Sequence, residues 1–384
     1  MNSGDEMEIY YWSKLAKDEN LAGGEIRGGY MIRELVKISR ERTMVLTPDM
    51  VLPIGFVLRH QTLSKIPLMF AVPIYIVKKV LKRGARIKFI YCTTCYTWDI
   101  LPAILMKFMT SATVVCVSHD TPKQLEGFYF YRNSEKLSLA KSILSVYVGK
   151  SQEFLLRYVD IPVAMSKFAM DFFEPDGIRE RAILASSGVP NVIEEDDLHG
   201  EREYDIVYLG RVVPRKNVDV IFRCLSLSDF PKKIRVLIIT NTEKSNVMNT
   251  IEPYLDHSLI DLAVRFNATE QEKFDLLKRA KLYISLSRDE TFSSATLEAA
   301  SQGDALILSD YTFFRNIYGG AAIFVDPNDL DAIWKEIRRL LTDNSSLLSL
   351  QRKSLKVAGK YIYRDIATRE YSEIINRISY KEMK

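Results

Sequence analysis

Cysteine is scarce, with four residues in a chain of 384. That is too few for a disulfide scaffold, and a reduced, cytoplasmic protein is expected. No uncharged run approaches the ~18 residues of a membrane-spanning helix, and the opening MNSGDEMEIYYWSKL lacks the apolar core of a secretory signal. No GxGxxG follows an early strand, which disfavours a nicotinamide enzyme. Gly149, Lys150 and Ser151 spell the end of a P-loop, but Leu144 stands where its first glycine belongs. Cys92 and Cys95 form a CxxC without a second cysteine or histidine pair at ligand spacing, so they are read as buried small residues rather than as a metal or redox site. Acid is missing from Met50 to Trp98, where Arg59, Lys65, Lys78, Lys79, Lys82, Arg83, Arg86 and Lys88 lie among Pro-broken apolar runs. Residues 50–98 therefore suit an anionic membrane surface, each basic group contributing about 1 kcal/mol there. The net charge of +4 is modest and no RNA- or DNA-binding motif accompanies it, so no nucleic acid is expected.

At 47% hydrophobic and 27% charged, the chain can fill two α/β cores. SGVPNVIEEDDLHGERE, rich in acids and turn residues with no apolar period, marks the boundary. The expected domains are 1–187 and 188–365, with 366–384 a C-terminal helix returning to the first.

The most informative stretch is KLYISLSRDETFSSATLEAASQGDALILSD, Lys281 to Asp310. LYISLS reads as a strand, SSATLEAA as a helix closed by Gly303, and ALILS as a second buried strand, which makes one βαβ unit. Glu290 sits in the loop after the first strand and Glu298 one turn beyond Ser294. Ligands of open α/β sheets bind at such carboxyl ends. The N–H groups of Ser293, Ser294 and Ala295 can meet phosphate oxygens, and the Glu298 carboxylate can accept two vicinal ribose hydroxyls. Upstream, YDIVYLGRVVPRKNVDVIFRCL reads as a strand, a turn on Gly210 and Pro214, and an amphipathic helix from Val218. Arg211 and Lys216 in that turn can clamp a diphosphate, one as a planar fork and the other as a point charge. Asp329 and Asp331 spell a DxD, a pair that can hold a metal diphosphate, but at the start of LDAIWKEI aspartate serves better as a helix cap.

Together these segments resemble the retaining glycosyltransferases of the GT-B fold, family four (glycosyl transferases group 1), in which a glycine-arginine turn with a following lysine precedes two glutamates separated by seven residues. Other landmarks follow in the same order. AGGEIRGGYMIRELVKIS, with Gly23, Gly24, Gly28 and Gly29, is similar to the family's first glycine-rich loop near the donor phosphates. VVCVSHD, ending in His119 and Asp120, resembles the strand that brings a histidine to the floor of the cleft. IPVAMSKFAMDFF, ILASSGVPNV and FVDPNDLDAIWKEIRRLL also resemble family segments.

The resemblance implies an α/β GT-B architecture, two Rossmann-like doubly wound domains facing across a cleft. The N-terminal domain would bind the acceptor, a glycan or lipid-linked hydroxyl, and the C-terminal domain a nucleotide-diphosphate sugar. A hexosyl group would then pass with retention, with no cofactor and no metal, at the cytoplasmic side or on the inner face of the cell membrane. Glu290 would orient the donor sugar or stabilise charge at its ring, His119 would face the reacting sugar, and Arg211 and Lys216 would neutralise the leaving diphosphate. Thr291, Phe292, Ser293, Ser294 and Glu298, with Gly23 and Gly24, would complete the donor site. Departures leave sugar and base open. Leu286 precedes Ser287, Thr291-Phe292-Ser293 stands for Gly-Phe-Gly, Asn241-Thr242-Glu243 replaces a glycine-rich turn, and RFNATEQE replaces a hydrophobic-glycine turn. A catalytically inactive sugar-nucleotide-binding subunit and a GT-B-like epimerase are the alternatives.

Overall fold

A computed structural model describes residues 6–11, 23–52, 65–79, 85–119, 150–171, 173 and 177–383. Asp120 and Gly149 lie outside these, as do Arg59, Lys82 and Arg83 of the basic stretch. The chain divides into two compact units. Among the described residues, the first holds those up to Ser187 together with the segment from Tyr363 onward, and the second holds Gly188–Ile362.

In the first unit the strands are β1 (Glu6–Tyr11), β2 (Arg42–Leu46), β3 (Arg86–Cys92), β4 (Thr113–Ser118), β5 (Ile161–Ala164) and β6 (Ile183–Leu184), in the order β2-β1-β3-β4-β5-β6. All pair in parallel. In the second unit β7 (Tyr204–Leu209), β8 (Ile234–Thr240), β9 (Ile260–Phe266), β10 (Ala280–Ser285), β11 (Ala305–Ser309) and β12 (Ala322–Val325) make a parallel sheet ordered β12-β11-β10-β7-β8-β9. Continuous apolar strands such as TVVCVS and ALILS, every residue buried, need helices on both faces, because a parallel sheet cannot leave one face wet. The helix Val218–Leu225 buries six of its eight residues, and the stripe Ile333, Ile337, Leu340 of the helix Leu330–Thr342 packs beside it. Asp329 accepts the amide of Ala332 at 2.9 Å, the cap expected of it. These are two doubly wound α/β units, and no helix among the described residues is long and apolar enough to cross a membrane.

The sheet orders locate the ligand edge of each unit. The winding reverses between β7 and β10 in the second sheet and between β1 and β3 in the first, and a crevice opens beyond the carboxyl ends of strands at such a reversal.

Two expectations are corrected. Gly23 and Gly24 open the helix Gly23–Ile38 itself instead of forming a loop ahead of it. The run's Gly28 has a steric purpose: an added Cβ would lie 2.9 Å from Thr93 Cβ, so glycine is what lets this helix approach the end of β3. The terminal helix begins at Tyr363, three residues before the expected start, and packs along Gly23–Ile38. Its Glu370 receives the fully buried Arg27 at 2.7 Å and the Tyr91 hydroxyl at 2.6 Å. Arg27 also donates to the Ser186 carbonyl at 3.2 Å and the Ala185 carbonyl at 3.3 Å. Burial opposes its charge, but Glu370 and Tyr91 more than compensate and raise its pKa.

Candidate functional site

Two loops meet at the reversal point of the second sheet. After β7 the backbone turns at Gly210, whose φ of +143 favours glycine, and continues through a short 3-10 turn, Pro214–Lys216. Asn217 then adopts a left-handed conformation, buries its amide and donates to the Leu286 carbonyl at 2.9 Å, just past β10. Arg288 N–H donates to the Arg215 carbonyl at 2.9 Å, and the Arg215 guanidinium to the Asp289 carbonyl at 3.2 Å. This lacing brings Lys216 Nζ onto Glu290 Oε1, which also accepts Ser287 Oγ at 3.1 Å.

Both partners are nearly buried, their side chains 16% and 10% exposed. Burial pulls the Lys216 pKa down, Glu290 opposes this, and Arg215 and Arg211 push it down further. Burial alone would raise the Glu290 pKa, but Lys216 and Arg215 outweigh it and leave the carboxyl below the usual range. Lys216 and Arg215 thus face one carboxylate while Arg211 acts on Lys216, a local positive excess suited to a diphosphate.

The second glutamate is built differently. The helix Ser294–Ser301 starts from Ser293, which holds φ +60 and ψ +71, a left-handed conformation that costs a serine about 1 kcal/mol relative to glycine. Its hydroxyl meets Thr296 Oγ1 at 2.8 Å, which helps hold it there. Thr291 is half-buried, while Phe292 is buried with its ring edge-on to Tyr361, centroids 5.6 Å apart. Glu298 receives Lys273 Nζ at 2.8 Å, with 13% and 10% of the two side chains exposed. The ammonium also lies 4.7 Å from the centroid of the Phe274 ring.

Lys273, Asn217, Ser287, Arg215 and Thr242 escaped sequence reading. Thr242, in the segment replacing the glycine-rich turn, accepts the Val212 N–H at 2.9 Å and so holds the loop that carries Arg211. In the other altered turn Asn267 is left-handed and Thr269 forms a capping box with Glu272, which places Lys273 on the first turn of the helix Glu270–Leu277. The T-x-x-E signature was the available signal. Removing the ammonium should leave Glu298 less constrained and uncompensated. Lys273→Met is therefore expected to weaken nucleoside diphosphate binding about tenfold by titration calorimetry, with a smaller change in kcat; unaltered affinity would reject this positioning role.

In the first unit His119 follows β4, and its Nε2 lies 2.8 Å from the Thr93 carbonyl at the end of β3. A ring nitrogen facing a carbonyl donates, so Nδ1 is left as an acceptor. Burial and the nearby Arg27 charge hold its pKa down to about 3, and the imidazole is neutral at any working pH. Cys92 and Cys95 are buried, and burial raises the Cys92 thiol well above its usual range, which removes thiolate reactivity. Among the described residues no group of three or more His, Cys, Asp or Glu gathers as a metal site would require.

Comparison with known proteins agrees with this geometry. Residues 191–360 match the family of glycosyl transferases group 1. The O-antigen chain mannosyltransferase B of Escherichia coli is 23% identical over 164 residues, covering 42% of this chain and 43% of that protein. The serotype-specific mannosyltransferase WbdA of Escherichia coli is 21% identical over 268 residues, 66% of this chain and 32% of that one. The chain thus spans less than half the length of these curated relatives. Among solved structures, the sucrose-phosphate synthase of Thermosynechococcus elongatus superposes with a TM-score of 0.71 at 12% identity, covering 98% of this chain and 100% of that one. Anabaena HepE in complex with UDP-glucose gives 0.65 at 12% identity, covering 96% and 99%. The fold is therefore that of the GT-B glycosyltransferases, and residues 191–360 carry the match to the glycosyl transferases group 1.

Proposed function

We propose that the protein moves a hexosyl group from a nucleotide-diphosphate donor to an acceptor hydroxyl with retention at the anomeric carbon and without a metal. The observation that carries this reading is the cluster of Arg211, Arg215 and Lys216 closed against Glu290 at the reversal of the β7–β10 sheet. As the bond to the sugar breaks, the diphosphate gains negative charge, and fixed cations stabilise that state more than the ground state. Lys216 then shares its charge between the phosphate and Glu290, which keeps the carboxylate ionised and aimed. Glu298, oriented by Lys273, accepts the ribose hydroxyls. Neutral His119 offers Nδ1 as a hydrogen-bond acceptor for a sugar hydroxyl, a role that a charged imidazole could not fill.

The names of the Escherichia coli relatives favour a mannosyl donor and a glycan acceptor, and HepE, with UDP-glucose bound, keeps a uridine donor in play. Thermal shift and turnover against a panel containing GDP-mannose, UDP-glucose and UDP-N-acetylglucosamine, with and without EDTA, test the reading. One donor should raise Tm and release nucleoside diphosphate equally in both conditions once a glycan or lipid-linked acceptor is added. Stabilisation without release would instead indicate a binding subunit, and donor conversion without any acceptor an epimerase. Release that EDTA abolishes would overturn the metal-free mechanism.

A further inference from the structure

The first unit carries an apolar surface that its fold does not use. On the helix Thr97–Thr110, Phe108 is 70% and Met109 60% exposed, although the same helix buries Ile100, Ala103, Ile104 and Met106. Phe154 and Tyr158, 53% and 40% exposed, lie beside them: Tyr158 meets the ring of Phe108 at 6.4 Å and that of Phe154 at 5.5 Å. A large exposed aromatic normally stands alone on a soluble surface, and a contiguous group marks a contact site.

Its place in the fold is specific. Phe108 and Met109 end the helix that leads into β4, and Tyr158 stands just before β5, so the group lies at the amino-terminal edge of the parallel sheet. The opposite edge carries Thr93 and His119. The surrounding charge selects the partner. Among the described residues of these segments Lys107, Lys150, Arg157 and Lys381 stand against Glu153 and Asp160, and Asp160 is already taken at 2.9 Å by both Lys107 and Lys381. The neighbouring helix Lys65–Lys79 repeats the pattern: Leu68, Val72 and Ile76 are buried, while Phe70, Ile74, Lys78 and Lys79 face outward.

We propose that this face, centred on Phe108, Met109 and Phe154, docks on an anionic lipid bilayer, the apolar side chains entering the interface and the lysines meeting headgroup phosphates. The basic stretch 50–98 contributes through the helix Lys65–Lys79, but the apolar centre belongs to residues outside it. The proposal does not depend on the transferase reading.

The test is cosedimentation of the full chain with phosphatidylcholine vesicles made with and without phosphatidylglycerol. Wild type should sediment only with the anionic vesicles, less so at high salt. The triple variant Phe108→Ser/Met109→Ser/Phe154→Ser should bind roughly a hundredfold more weakly, with an unchanged melting temperature because the three side chains are exposed. Phe108→Leu should keep binding, and Phe108→Trp should be quenched by brominated lipid. Unaltered binding of the triple variant, or no quenching, would overturn the proposal. So would a concentration-dependent dimer in lipid-free buffer that the triple variant dissolves, which would assign the face to a second copy of the chain.

Discussion

Lys216→Ala is expected to lower turnover about a thousandfold, the upper end of what one lost charge-stabilising donor costs. The effect has two sources. The diphosphate loses a cation, and Glu290, left nearly buried with the Ser287 hydroxyl and the charge of Arg215, presents a poorly compensated negative charge toward it. The second source is also a stability cost of about 3 kcal/mol, the low end for breaking a buried pair. The double variant Lys216→Met/Glu290→Gln separates them: it should recover most of the stability and none of the activity. The pH profile carries the same signature. Because the Lys216 pKa is lowered, the alkaline loss of activity should fall below the ordinary lysine range, and because that of Glu290 is also lowered, the acid loss should fall below the ordinary carboxylate range. Turnover within threefold of wild type in Lys216→Ala would reject the assigned site.

The second large effect lies in the first unit, remote from phosphate chemistry. Arg27→Ala leaves the Glu370 carboxylate fully buried with the Tyr91 hydroxyl but no cation, and frees the carbonyls of Ala185 and Ser186 from the guanidinium. Removing one partner of such a pair costs roughly 3–5 kcal/mol, and at ~2–4 °C per kcal/mol the calorimetric transition of this unit should drop by about 6–20 °C. Arg27→Met/Glu370→Met should regain much of the loss, since two apolar groups need no compensation. A single-variant drop below 2 °C would show that water or a neighbouring group replaces the guanidinium at little cost. The same substitution removes a positive charge near His119, whose pKa, now about 3, should rise without reaching neutrality, because burial is its larger cause.

How far the fold can be read from residues depends on the range of the interactions involved. The βαβ unit from Lys281 to Asp310 was legible because its two strands are apolar on both faces and its glycine falls where the helix stops; Gly303 indeed holds φ +75. Asp329 was legible as a cap because capping is settled within three residues. The glycines 23–29 misled, since a glycine needed for close packing on Thr93 and one needed for an anion loop look alike in one dimension. Ser293 in a left-handed turn was equally hidden, its cost being shared with Thr296 and the following helix.

Residue type and spacing in the chain were enough to establish parallel α/β layers, the order of the motifs, and the pairing of a cationic turn with two glutamates separated by seven residues, because periodicity, capping and turn chemistry act over a few residues. Three-dimensional packing alone settled which charges meet. Lys216 finds Glu290 across 74 residues and Lys273 finds Glu298 across 25, while Arg27 reaches Glu370 across 343. Each pairing is set by sheet order and burial, where desolvation makes an unmatched charge too costly to keep, and no local pattern records such a requirement.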